Sequence, residues 1–124
     1  KWEGKGYLFV PRLEEAAQFA DSTHAYYKLY VYVQSDNLPK EWSRDRIIQE
    51  INDLGVPCFS GSASEVYLEK AFDNTGLRPE SRLPVAKQLG ETSLMFLVHP
   101  TLTEDEIKRT VQAIDSVFAN IHNQ

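Results

Sequence analysis

The sequence holds one cysteine, Cys58, and one methionine, Met95, among 124 residues. A single thiol cannot form an intramolecular disulfide, so the chain is not one of the small secreted scaffolds held together by cystine pairs. No uninterrupted apolar run approaches the roughly 20 residues that cross a bilayer as a helix. Basic charge is not in excess: 13 Lys+Arg stand against 18 Asp+Glu, for a net charge of −5 and a pI near 5.1. That balance supplies no pull toward phosphate backbones or anionic lipid, and nucleic acid and membrane are not expected partners. His24, His99 and His122 lie far apart, without the short ligand spacings of a zinc site, so no metal is expected. The glycine patterns that cradle nucleotide phosphates are also missing.

What is present suits one compact domain of the commonest size, about 100–150 residues. Hydrophobic residues make up 42% and charged residues 25%, enough to bury a core. A soluble, cytoplasmic protein is expected. Residue 1 is Lys and the only Met is internal, so the sequence is expected to be a fragment of a longer chain, with 1–124 as a single domain and 1–23 as its least readable part.

Residues 7–10, Tyr-Leu-Phe-Val before Pro11, predict an edge strand. The alanines and Leu13 of 12–21 predict one or two helical turns. Residues 24–33, His-Ala-Tyr-Tyr-Lys-Leu-Tyr-Val-Tyr-Val, are dense in aromatic and β-branched side chains and predict a strand. Alternation puts Tyr27, Leu29, Val31 and Val33 on its core face, and His24, Tyr26, Lys28, Tyr30 and Tyr32 on the other. Ser43 predicts an N-cap for a helix carrying Ile47, Ile48, Ile51 and Leu54, with Gly55 ending it. Residues 56–59 predict a strand, 60–64 a small, mobile loop, 65–72 a short amphipathic helix, and 83–89 a helix stopped by Gly90. The apolar run 93–98 predicts a buried strand. Thr103 and Glu106 form a capping box that opens a long helix with Ile107, Val111, Ile114, Phe118 and Ile121 in one stripe. This order predicts an α+β (α/β) sandwich: a sheet of three to four strands with helices mainly on one face.

Few residues advertise chemistry. Cys58 has no histidine in a recognisable partner motif and is expected to be a buried, inert thiol. The tyrosines of the 24–33 strand could stack on bases, but no Lys/Arg stripe interleaves them, so core and interface use is expected.

Several segments, taken in order, resemble the C-terminal domain of the DegT/StrS-type sugar aminotransferases, fold-type I enzymes that use pyridoxal phosphate. They are residues 24–30, the helix opening at Ser43-Arg44-Asp45 and closing at Leu54-Gly55-Val56, the run Leu94-Met95-Phe96-Leu97-Val98-His99-Pro100-Thr101-Leu102-Thr103, and the acidic-capped terminal helix. The resemblance covers 24–124. The chain departs from the family at Leu97, where many members have proline, and at 59–65, where many have a His-Tyr and Pro-x-His pattern.

The resemblance implies a small C-terminal domain of a pyridoxal-phosphate-dependent aminotransferase. Such an enzyme would move an amino group, with glutamate as the expected donor, to a nucleotide-linked keto sugar in polysaccharide or secondary-metabolite biosynthesis. It implies that His24, Tyr26 and Tyr27 contact the sugar nucleotide and that the full enzyme is a homodimer, whereas the fragment could be monomeric. The Schiff-base lysine would belong to the preceding large domain, leaving no catalytic residue here, no cofactor bound to the fragment alone, and the fragment inactive. The alternative is a freestanding α+β module that binds a small metabolite; a third reading is a protein-interaction domain using the tyrosine face.

Overall fold

A computed structural model describes residues 1–12, 21 and 25–124. Four strands, β1 (Leu8–Phe9), β2 (Lys28–Val33), β3 (Cys58–Phe59) and β4 (Ser93–Leu97), form one antiparallel sheet in the order β1-β2-β4-β3. Three α-helices complete the α+β fold: α1 (Arg44–Asp53), α2 (Pro84–Thr92) and α3 (Glu104–His122). β2 and β3 are parallel to one another with β4 between them, so the connection through α1 crosses the sheet. β1 is an edge strand, as the apolar run before Pro11 predicts.

Alternation along the strands sorts the side chains into two faces. Leu8 pairs with Val33, Val31 with Leu94, and Cys58 with Phe96; these residues join Ile47 and Ile51 of α1 and Ala113, Val117, Phe118 and Ile121 of α3 in the core. α1 begins where Ser43 accepts the backbone N–H of Arg46, and it ends at Gly55, whose φ of +76° is a left-handed position that glycine reaches without strain. At the start of α3, Thr103 and Glu106 satisfy each other's backbone donors in a complete capping box.

The structure revises five expectations. Strand β2 starts at Lys28, not at residue 24. Tyr26 has a φ of +46°, and this left-handed turn throws Tyr27 off the sheet, leaving it 84% exposed rather than in the core. Residues 65–72 form two short 3₁₀ turns, Val66–Leu68 and Lys70–Phe72, in place of a helix. α2 runs through Gly90 to Thr92. On α3, Ile107 and Val111 are 52% and 54% exposed, because the buried stripe is shifted to Ala113, Val117, Phe118 and Ile121. The helical turns expected at 12–21 fall largely outside the described residues.

The N-terminal segment is better anchored than its polar composition suggests. Trp2 is buried in the core, stacks obliquely on Phe118 with ring centroids 6.0 Å apart, and donates its indole N–H to Asp115 at 2.5 Å.

Candidate functional site

The outer face of the sheet carries Phe9, Tyr30, Tyr32, Phe59 and Met95, brought side by side by the pairings Phe9 with Tyr32, Tyr30 with Met95, and Phe59 with Met95. Only Met95 of this group is fully buried, and Phe9 and Phe59 remain largely exposed. β-branched and aromatic residues were predicted on β2 because they fit a pleated surface; their placement here makes a half-covered aromatic wall. Burial, then the neighbouring Tyr30, raises the Tyr32 hydroxyl above its ordinary pKa. Between this wall and α2 runs a groove of about 600 Å³ that reaches Phe9, Tyr32, Gln34, Lys87, Gln88 and Glu91.

One rim of the wall is the serine loop, residues 60–64, and it is tied down. Tyr30 and Ser62 share a hydroxyl–hydroxyl hydrogen bond of 2.7 Å. The Ser93 hydroxyl donates to the Ser60 carbonyl. Gly61, at a φ of +87°, lies so close to Ser93 and Tyr30 that a Cβ would come within 2.8 Å of the Ser93 hydroxyl and 3.0 Å of the Tyr30 ring. Beneath the loop, Arg44 Nη1 donates to the carbonyls of Gly90 at 2.9 Å and Ser93 at 3.1 Å, with a longer 3.5 Å contact to Ser60. The Arg44 side chain is 14% exposed. A charged nitrogen shared among carbonyls of different segments is a rigid fastening. The loop expected to be mobile is thus pinned from both sides.

Sequence reasoning passed over Arg44, although a signal was there. A cation in the first turn of a helix opposes the helix dipole, so its place there needs another employment, and the three carbonyls supply it.

The predicted contact residues are distributed along the approach to β2. Tyr26 is half-buried at the left-handed turn, and Tyr27 projects into solvent with the Lys28 ammonium 5.5 Å from its ring centroid. Both stand on the segment entering the outer face, and His24 lies outside the described residues.

Chemically, the described residues favour binding over bond-making. Cys58 is 1% exposed and burial pushes its thiol up to about 11, so the nucleophilic thiolate is scarce near neutrality. Glu65 moves the other way: the Arg82 guanidinium, helped by the Tyr67 hydroxyl, holds its carboxyl down to about 2. It is a fixed anion, not a general acid or base. No group of three or more metal-ligating side chains occurs among the described residues. No lysine is buried, and desolvation is one of the usual ways to make a Schiff-base amine reactive; among the described residues no buried polar side chain is left unpartnered to receive a cofactor. These residues do not by themselves compose a pyridoxal phosphate site.

No protein family profile matches the sequence, and no curated protein matches it. Solved structures do. Over 98% of its length the chain superposes at a TM-score of 0.95 and 93% identity on a segment making up 31% of an aminotransferase from Psychrobacter cryohalolentis. The chain is similar to part of an aminotransferase. It also shares its fold with a segment of the aminotransferase TlmJ from Streptoalloteichus hindustanus, at a TM-score of 0.69 and 20% identity over 92% of this chain and 27% of that one. A third match is NtdA from Bacillus subtilis, solved with the cofactor PMP, at a TM-score of 0.62 and 18% identity over 94% of this chain and 24% of that one. The chain spans less than a third of the length of each of these proteins. No described helix is long and apolar enough to cross a membrane.

Proposed function

We propose that these 124 residues form the small C-terminal domain of a pyridoxal-phosphate-dependent aminotransferase. The observation that carries this reading is the 93% identity over 98% of the chain to a segment that is only 31% of an aminotransferase. The surface is consistent with a lobe that packs on something larger: Phe9, Phe59, Leu83, Val85, Leu89 and Leu97 are all exposed. Apolar surface of that extent marks contact with another body.

In this reading the enzyme belongs to the DegT/StrS-type sugar aminotransferases, is a cytoplasmic homodimer, and transfers an amino group from glutamate to a nucleotide-linked keto sugar for polysaccharide or secondary-metabolite synthesis. Pyridoxal phosphate supplies the electron sink for the transfer when bound, and its lysine lies in the large domain. This chain contributes walls. His24, Tyr26 and Tyr27 approach the sugar nucleotide, and the pinned serine loop holds the outer face in one shape. The fragment alone is inactive.

Borohydride reduction of the intact, cofactor-loaded protein, followed by peptide mapping, tests the division of labour. The fixed cofactor is expected on a lysine outside these residues. Selective labelling of Lys28, Lys40 or any other lysine of this chain would overturn the reading.

A further inference from the structure

A second, smaller groove lies at the end of β4 away from the serine loop, between the turn after α1, the end of β4 and the first turns of α3. It has a volume of about 220 Å³. Its floor is apolar, built from Val56 and Phe96, which are buried in the core, and from Leu102, which is partly exposed at its edge. Two charged side chains of α3, Glu106 and Arg109, border it.

Both charges keep donor or acceptor capacity toward the groove. Arg109 makes no hydrogen bond or ion pair among the described residues. Its guanidinium lies across Gly55, where a Cβ would come within 2.6 Å of Nη2, so the bare glycine is what lets the cation rest over the groove. Glu106 uses Oε2 for both of its bonds to Thr103, at 2.7 and 2.8 Å, and Oε1 is left without a protein partner among the described residues. The two do not pair with each other, although they stand one helical turn apart, where opposite charges commonly meet. A cation and an anion held apart beside an apolar floor are complementary to a zwitterion with a hydrocarbon tail. The volume selects size: it falls below the roughly 300–1,000 Å³ of pockets for drug-sized ligands.

We propose that this groove binds a free α-amino acid with an aliphatic side chain, its carboxylate on Arg109, its ammonium on Glu106 Oε1 and its side chain on Val56, Phe96 and Leu102. The arrangement does not depend on the aminotransferase reading, and it lies away from the aromatic wall on which that reading places the substrate.

The test is a titration of the labelled chain with L-leucine, followed by backbone amide NMR, beside leucinamide, which lacks the carboxylate, and 4-methylpentanoate, which lacks the ammonium. Leucine is expected to give saturable shifts at Val56, Leu102 and Thr110 in the millimolar range or tighter. Each analogue should bind about tenfold more weakly or worse, the scale of one lost charge-assisted contact. Arg109→Gln should abolish the shifts. Glu106→Gln keeps the capping geometry and should weaken leucine while leaving 4-methylpentanoate unchanged. Absence of saturable shifts, equal binding by either analogue, or unaltered leucine affinity in Arg109→Gln would overturn the proposal.

Discussion

Arg44 and Ser93 are joined by a hydrogen bond of 3.1 Å from a guanidinium nitrogen to a main-chain carbonyl, across a sequence separation of 49 residues. The same nitrogen holds Gly90, so the first turn of α1, the end of α2 and the start of β4 meet at one cation. Replacing Arg44 with Ala is expected to cost about 1–3 kcal/mol, because the part-buried Gly90 and Ser93 carbonyls lose a charged donor. Arg44→Lys should recover part of this, since the carbonyls are all held by one guanidinium nitrogen and an ammonium also offers three donors from a single nitrogen, though on a shorter side chain. Denaturant melts of the three proteins measure the loss. Amide exchange should quicken first at 60–64 and 90–93 in both variants.

Glu65 sets part of the acid limit of the fold. Its carboxyl, ordinarily near 4.5, is held at about 2 by Arg82 and Tyr67. A depressed folded-state value means that the ionised form is the stabilised one, so the contribution is complete above the unfolded value and is lost as pH falls through the window toward 2. Melting temperature is expected to drop across that window, and Glu65→Gln should flatten this part of the profile while lowering stability at neutral pH.

Cys58 is expected to resist alkylation in the folded chain at neutral pH. Burial blocks access and keeps the group as a thiol. Iodoacetamide should label it only at the rate of unfolding, and rapid stoichiometric labelling under native conditions would refute the buried placement.

Along α3 the two apolar sets should separate by energy. Phe118 is 0% exposed, and Phe118→Ala is expected to cost about 3–5 kcal/mol. Val111→Ser, at an exposed position, should change the stability of this chain by less than about 0.5 kcal/mol. Urea melts decide between this division and the single stripe that periodicity suggests.

That stripe shows where the sequence is legible and where it stops being so. Local rules read well: the Ser43 cap, the Gly55 stop and the Thr103–Glu106 box depend on residues within one helical turn of each other, and each stands where it was expected. Strand β4 was legible for the same reason, as the apolar or small run 93–98 before His99-Pro100, of which Ser93–Leu97 form the strand. Long-range placement was not. Periodicity marks a helix face without saying how far along its length a neighbour covers it, so Ile107 and Val111 read as core. A lone Trp2 in a polar stretch has no pattern at all, yet it packs against Phe118. Alternation reads Tyr27 as core, but Tyr27 lies one residue before β2 begins, next to the left-handed turn at Tyr26. The candidate site was legible as an aromatic strand and a small-residue loop. Its fastening by Arg44 was not, because three carbonyls distant in sequence leave no mark on the residue that binds them.

Whether this chain is one lobe of an enzyme that aminates a nucleotide-linked keto sugar is decided by following nitrogen. The intact protein, loaded with pyridoxal phosphate, is incubated with glutamate labelled with heavy nitrogen and a panel of nucleotide-linked keto sugars, and the products are read by mass spectrometry. The account predicts a nucleotide-linked amino sugar carrying the heavy nitrogen, with slower turnover in His24→Ala and Tyr26→Phe at unchanged fold stability. Recovery of every sugar nucleotide unchanged and without heavy nitrogen would contradict it.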